Sequence, residues 1–391
     1  MNSIRRSCHS ALINSNSICR ISNGTRRAFS QSTTCQRGSL PTFHEPSTPE
    51  LSALLSTLNS KVLLPKHLNH DQQLLVYREK NRTRLEAEPI YITLGQVTLP
   101  LEHIDRNCDQ PDRWRTINDI IRNSSTPSDW ENVLRMVEGF HDASIRLKPM
   151  WKEKIVRKFN EAGMQHLVLK ALQRVERTGL SLKDKGVTGM VFKGIRDKAE
   201  GSGWEKEETR KALNLAEQVV ELMESKEHLG RTNAMPGDLR ASPFVIAVPL
   251  ELAAVRAKRH TEGQDRDGKV AKYALRIMNA LKQDDFLAVT LAAKSRELDP
   301  PREYPTAKAK HTAFVTVRKT MYEMIPLWNA IKTAIEVLGS EMPMAEDAKK
   351  VTGNIRKALT SGETTLKELS NKEVEQSPEY VNRLIRECEE L

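Results

Sequence analysis

From Ser128 to the end of the chain, apolar residues return at intervals of three and four. That period directs most of the 391 residues into helices packed on one another. Trp130, Val133, Leu134, Val137 and Phe140 form one such stripe, and Ser128-Asp129-Trp130-Glu131 has the spacing of a capping box at its start. Trp151, Ile155, Val156 and Phe159 predict a second helix over about 150–161, and a third over about 164–177 stops before Gly179, a residue suited to a left-handed cap. Ser242-Pro243 opens another helix, which Pro249 is expected to kink. Val270, Tyr273, Ala274, Ile277 and Leu281 mark the next. Beyond Pro300, Pro301 and Pro305 the pattern predicts helices over 306–323, 326–338 and 345–359, and a last one over 379–390 after Ser377-Pro378. Gly186 with Gly189, and Gly201 with Gly203, read as hinges between helices.

The period differs upstream. Leu51, Leu54, Leu55 and Leu58 make one helical stripe, and 71–84 is strongly charged. After Pro89 the spacing falls to two: Ile90, Ile92 and Leu94 before Gly95, then Val97, Leu99 and Leu101 after it, which predicts a small hairpin. The chain thus divides into an acid-free segment and its flank (1–44), a linker and helical arm (45–88), a hairpin with its connection (89–127), a helical-repeat region (128–300) and a C-terminal helical region (301–391).

Trp151 to Asp184 spans 34 residues that read helix, Gly-containing turn, helix, then Thr178-Gly179-Leu180-Ser181. With Lys170-Ala171-Leu172-Gln173-Arg174-Val175 followed by Gly179-Leu180, this stretch resembles one pentatricopeptide or tetratricopeptide repeat. Echoes occur at 211–216 and 273–277, but the equivalent alanines are 41 and 62 residues apart. The fold class read from these patterns is mostly α: degenerate helical-hairpin repeats, as an α-solenoid or an irregular bundle, with the β-hairpin near 90–101. The pentatricopeptide resemblance implies binding of single-stranded RNA along stacked helical pairs, in organellar transcript processing, stability or translation. The tetratricopeptide resemblance implies a peptide groove instead.

Met1 to His44 holds Arg5, Arg6, Arg20, Arg26, Arg27 and Arg37, abundant Ser, Thr and Asn, and no acid. That composition suits a mitochondrial import signal, because a positive segment is drawn inward by the membrane potential. Arg27-Ala28-Phe29-Ser30 resembles a processing site cut after Phe29. The expected location is the mitochondrial matrix, with peripheral association with the inner membrane left open. The longest apolar run, about Phe244 to Val255, is interrupted by Pro249 and Glu251 and is too short to span a bilayer.

Setting the six arginines aside changes the meaning of the net charge of +10, since 55 Lys and Arg then face 51 Asp and Glu. Any nucleic-acid contact must come from a local patch. Three patches qualify: Lys152, Lys154, Arg157 and Lys158; Arg256, Lys258 and Arg259 beside His260; and Lys308, Lys310, Arg318 and Lys319 around His311. Acids such as Glu153 and Glu161 are interspersed in the first. Aromatics are scarce at 5%, and no stacking platform is evident from spacing.

No catalytic or metal motif emerges. Cys108 and Cys388 stand 280 residues apart beyond the acid-free segment, which fits neither a disulfide framework nor a zinc site. Gly263 and Ala274 occupy ligand positions if 264–268 is aligned as a calcium loop, so that stretch reads as a turn. His67, His70 and Asp71 lack a further ligand. No cofactor is expected, and the readings are non-enzymatic: a helical protein that binds mitochondrial RNA or the translation apparatus or, alternatively, a protein-binding scaffold such as a respiratory-complex assembly factor or a ribosomal subunit.

Overall fold

Pro49, whose φ is already set and which has no N–H to lose, opens α1 (Pro49–Thr57), and the Thr48 side chain accepts from the Leu51 N–H at its cap. The computed structural model describes residues 39–230, 237–283, 286–301, 303–370 and 378–391. The buried stripe of α1 runs through Leu51, Leu55 and Leu58 into a wider turn, Leu58–Leu63, and then into α2 (Leu64–His67). Two short helices follow, α3 (His70–Tyr77) and α4 (Arg82–Ala87). β1 (Ile90–Leu94) and β2 (Val97–Leu101) pair antiparallel with Leu94 opposite Val97, as the period-two runs predict. The Ile104 N–H donates to the Val76 carbonyl at 3.1 Å and holds the hairpin exit against α3.

Of the predicted import segment and its flank, residues 1–38 lie outside the described residues. Residues 39–47 form an extended strap that depends on α6 (Pro127–Asp142), which follows α5 (Arg113–Asn123). Asn132, fully buried, acts as a strand partner in miniature: its Oδ1 accepts from the His44 N–H at 2.7 Å and its Nδ2 donates to the His44 carbonyl at 3.1 Å. Arg135 donates to the Thr42 carbonyl. Asp129 accepts from the Ser47 N–H and hydroxyl at 3.0 and 2.7 Å. Burial pushes that carboxyl up, but the donors from Ser47 and Thr126 outweigh it and hold Asp129 well below the usual carboxylate range.

The cap of α6 differs from the sequence expectation by two residues. Thr126, rather than Ser128, is the cap, and Asp129 rather than Glu131 returns the bond to its N–H at 2.9 Å. Two threes-apart pairs competed here, and Pro127 decided between them, because proline is favoured at the first helical position.

The helical pair α7 (Pro149–Glu161) and α8 (Gln165–Gln173) forms as expected, and a short α9 (Val175–Thr178) ends on Gly179 at φ +64°, a left-handed value that glycine adopts without strain. Next come α10 (Lys185–Gly201) and α11 (Lys206–Met223). Gly186 and Gly189, expected as a hinge, lie inside α10, because the Asp184 side chain caps the helix just before them, accepting from Gly186 N–H at 3.1 Å. Gly201 to Gly203 does break the chain between α10 and α11. At Gly194 the helix meets α7 so closely that a Cβ would fall 2.1 Å from Asn160 Cγ, and Asn160 Nδ2 donates to the Met190 carbonyl at 2.8 Å.

α12 (Pro243–His260) is apolar nearly all round, with Val245 to Ala257 buried except for partly exposed Arg256, which is the signature of a central helix. α13 (Lys269–Lys282) packs beside it. After α14 (Ala292–Leu298), α15 (Ala307–Leu338) runs unbroken through Pro326, where two helices were expected. Pro326 is itself buried, and packing along α12 holds the helix across the bond that proline cannot make. α16 (Ala345–Leu369) extends ten residues beyond its expected end, and α17 (Pro378–Glu390) closes the core.

Where α10, α12, α15 and α17 meet, Arg196 forms a two-pronged ion pair with Glu251 at 2.9 and 3.0 Å. Asn329 Nδ2 donates to Glu251 Oε1 at 2.7 Å, and Cys388 Sγ lies 3.6 Å from Arg196. Burial pushes the guanidinium down, and the adjacent Glu251 charge more than offsets it, so Arg196 stays charged. Burial also pushes the Cys388 thiol up to about 12, which leaves it a protonated packing group rather than a nucleophile.

Candidate nucleic-acid interface

A cation can neutralise a phosphate only if its own fold has not already matched it with a carboxylate or carbonyl, and the three basic patches differ on this point. At the end of α12 every cation has an internal partner. Arg256 pairs with Asp267 at 2.5 Å, and Lys258 with Glu336 of α15 at 2.6 Å. Arg259 donates to the Gly203 carbonyl at 2.9 Å, and His260 Nε2 to the Trp204 carbonyl at 2.8 Å. These residues tie the end of α12 to α15, to the end of α10 and to the turn at 264–268. In that turn, Asp265 accepts from the Ala271 N–H at 2.9 Å. Position also favours them, since cations at a helix C-terminus oppose the negative end of its dipole.

The α7 patch is divided. Lys152 donates to the Gly179 carbonyl at 2.7 Å, and Arg157 and Lys158 share Glu161 at 3.5 and 2.6 Å. Lys154 instead lies over the Trp114 ring at 4.8 Å.

The α15 patch is different. From Ala307 to Tyr322 the helix has no acid. Among the described residues, no carboxylate pairs with Lys308, Lys310, His311 or Lys319, while Arg318 leans on the Phe314 ring at 5.7 Å. Lys308, His311, Val315 and Lys319 follow one another at three- and four-residue steps along one face, and all four are exposed. Lys308 and Lys310 occupy the first turn, where the positive end of the dipole disfavours cations. This arrangement opposes local stability and leaves positive charge open to solvent.

One further basic surface is partly matched by its own acids. A cleft of about 420 Å³ between the strap, α6 and the α8–α9 turn is lined by Arg135, Lys170, Arg174 and Arg177 but also by Glu131, Glu138 and Asp142. Lys170 reaches Glu131 at 4.0 Å and Arg174 reaches Glu138 at 3.6 Å. Among the described residues, no group of three or more His, Cys, Asp or Glu side chains could hold a metal ion. No described helix is long and apolar enough to cross a membrane.

Spacing along the chain concealed one feature. Trp114 of α5 and Trp151 of α7, 37 residues apart in sequence, stack with ring centroids 4.9 Å apart and planes at 9°. Their proximity comes from the way α5 and α7 pack, for which no linear motif exists.

Comparison with known proteins corrects the repeat-family assignment. The chain matches the family described as mitochondrial ribosomal protein mS27 over residues 27–386, and not a pentatricopeptide or tetratricopeptide family. A small ribosomal subunit protein mS27 of Neurospora crassa is 28% identical over 265 residues, 66% of each chain, so this chain spans slightly under two thirds of that relative's length. The geometry agrees with the correction: α8 breaks at Arg174, and the 32-residue α15 fits no two-helix unit of 34 residues. The peripheral inner-membrane association that the sequence left open is not supported by this family. With a match that runs from the last residues of the import-like segment into α17, the chain belongs to the mitochondrial ribosomal protein mS27 family.

Proposed function

We propose that this chain is a component of the small subunit of the mitochondrial ribosome. In this reading it works in the matrix as a non-enzymatic helical scaffold and holds ribosomal RNA along the exposed face of α15. The observation that carries the reading is the family match across 27–386, which covers nearly all of the described structure. The Neurospora crassa relative is itself named for the small subunit. The α15 face supplies the physical contact. Its unpaired cations are disfavoured in the free protein and gain most when phosphates replace water around them, releasing counter-ions.

The same match supports the import reading, because it begins at Arg27, beside the expected cut after Phe29. In this account the segment before the cut is the address, and the strap at 39–47 is the first described part of the working protein.

A tagged chain expressed in its own mitochondria and sedimented through a sucrose gradient tests the proposal. It should travel with small-subunit ribosomal RNA and leave that fraction as salt is raised. Sedimentation with a respiratory complex, or at the top of the gradient with the small subunit intact, would overturn it.

A further inference from the structure

The chain has five tryptophans, and three belong to the core: Trp130, Trp204 and Trp328 are 6%, 3% and 4% exposed. Trp114 and Trp151 are not buried in this way. They stack on each other at 4.9 Å with both rings partly exposed, and Met150 beside them is 66% exposed. Each indole has one face against the other indole. The pair packs in part on the hydrophobic core, and cations stand over it, Lys154 Nζ at 4.8 Å from the Trp114 centroid and Lys148 Nζ at 5.7 Å from that of Trp151.

Among the described residues, no carboxylate pairs with Lys148, Lys154 or Arg115. Of the nearby acids, Asp112 caps α5 by accepting from the Arg115 N–H at 2.7 Å, and Glu153 is directed toward α10, its Oε2 2.7 Å from where a Cβ on Gly186 would stand. Exposed aromatic area of this kind gains by being covered, and the surrounding charge selects what covers it. A polyanion with flat apolar faces satisfies both requirements, whereas a peptide would need carboxylates placed around a hydrophobic anchor.

We propose that Trp114 and Trp151 form a platform for an unpaired base of RNA. The base stacks on an outer indole face in place of a lysine ammonium, and Lys148 and Lys154 swing to the flanking phosphates. Stacked indoles with cations over their faces are the elements that single-strand recognition uses, and base pairs in a duplex have no free face to offer. The proposal rests on the ribosomal reading for its biological setting, but its geometry is independent of α15.

The test uses the full chain with a short oligouridylate, an oligoadenylate and an RNA duplex of equal length, read by tryptophan fluorescence and by affinity. The single strands should quench fluorescence and the duplex should not. Trp151→Leu should weaken single-strand binding by about tenfold or more, the scale of one lost stacking contact. Its duplex binding should not change. Lys154→Glu, which leaves both indoles in place, should weaken single-strand binding several-fold and guards against a folding defect in the tryptophan variant.

Single-strand affinity within about twofold of wild type for Lys154→Glu, or for Trp151→Leu with an unchanged helical signal, would overturn the proposal. Loss of a protein neighbour from the intact subunit in Trp151→Leu, with no RNA quenching in solution, would overturn it in favour of a protein contact. The triple variant Lys308→Glu, Lys310→Glu, Lys319→Glu separates the two readings. It should weaken single strands and duplex alike while the fluorescence response of bound single strands persists. Co-sedimentation with the small subunit bears on the ribosomal reading alone.

Discussion

The ends of α12 and α15 carry basic clusters of similar size on two helices that pack against each other, yet one belongs to the fold and the other does not. Arg256, Lys258, Arg259 and His260 lie at a helix C-terminus and each reaches an acceptor inside the molecule. Lys308, Lys310, His311 and Lys319 lie in the N-terminal half of a helix, with no carboxylate partner among the described residues. As strings of letters they look alike. What separates them is the direction of the helix dipole and the identity of neighbours that are up to 78 residues away in the chain, as Glu336 is from Lys258. Local charge density therefore nominates a surface, and internal pairing decides whether it is free to bind.

Arg196 is the extreme case of a cation engaged by its own fold, and its removal should have the largest effect. Arg196→Met strands the buried Glu251 charge and should cost about 3–5 kcal/mol in urea unfolding. Replacing both partners with apolar residues should recover much of that loss. Affinity for RNA, measured on the fraction that folds, should not change for either variant.

The second effect concerns binding alone. Lys308→Glu with Lys310→Glu and Lys319→Glu should lower RNA affinity by at least about tenfold and flatten the slope of log affinity against log salt by about 2–3, the share of three phosphate contacts. Its unfolding midpoint should stay at or somewhat above that of wild type, since two of the new acids stand in the first turn of α15. A large drop in stability would place these residues with the α12 cluster and break the comparison.

The matching change at α12 should do the reverse. Arg256→Met and Lys258→Met should each cost about 0.2–1 kcal/mol of stability, as partly exposed ion pairs do, with RNA affinity unaltered. The Arg256 contribution should depend on pH. Partial burial pushes the Asp267 carboxyl up, the hydrogen bond and charge of Arg256 outweigh it, and the net value is lowered. A lowered carboxyl stabilises the fold above its ordinary value near 3.8 and loses that contribution as pH falls through the lowered one. The stability gap between wild type and Arg256→Met should accordingly be constant at neutral pH and close only in strong acid.

The smallest effect has the opposite sign. Lys308→Glu alone puts an acid in the first turn of α15, where the dipole favours it, and should raise stability by about 0.3–1 kcal/mol while lowering RNA affinity. A gain in stability with a loss of binding is the behaviour of a residue held in place for a partner.

Much of this architecture is local and can be read from the chain. The hairpin at 90–101 follows from period two around Gly95, the extent of α7 follows from the stripe of Trp151, Ile155, Val156 and Phe159, and the starts of α12 and α17 follow from Pro243 and Pro378. The failures share a cause, which is that tertiary partners settle them. Thr126 takes the cap over Ser128 where Pro127 sets the first turn and Asp129, which closes the cap, is also held by the strap at Ser47. Pro326 does not end α15 because α12 supports it. Arg196 and Glu251 lie 55 residues apart, and Trp114 and Trp151 lie 37 apart, so neither pair leaves a motif. The repeat resemblance failed for a related reason. A helix pair with a close small residue and a closing glycine is what any packed helical hairpin requires, so the stretch at 151–184 identifies a packing solution and not a family.

The most direct test follows the chain on the ribosome as salt is raised. Tagged wild type and the triple α15 variant would be sedimented from mitochondrial lysates over a series of potassium chloride concentrations, with small-subunit RNA monitored in each fraction. The account predicts that wild type stays with the small subunit at physiological salt and that the variant is released at distinctly lower salt, both with normal helical content. Identical release profiles for the two chains would contradict the claim that the free cations of α15 are what this protein presents to the ribosome.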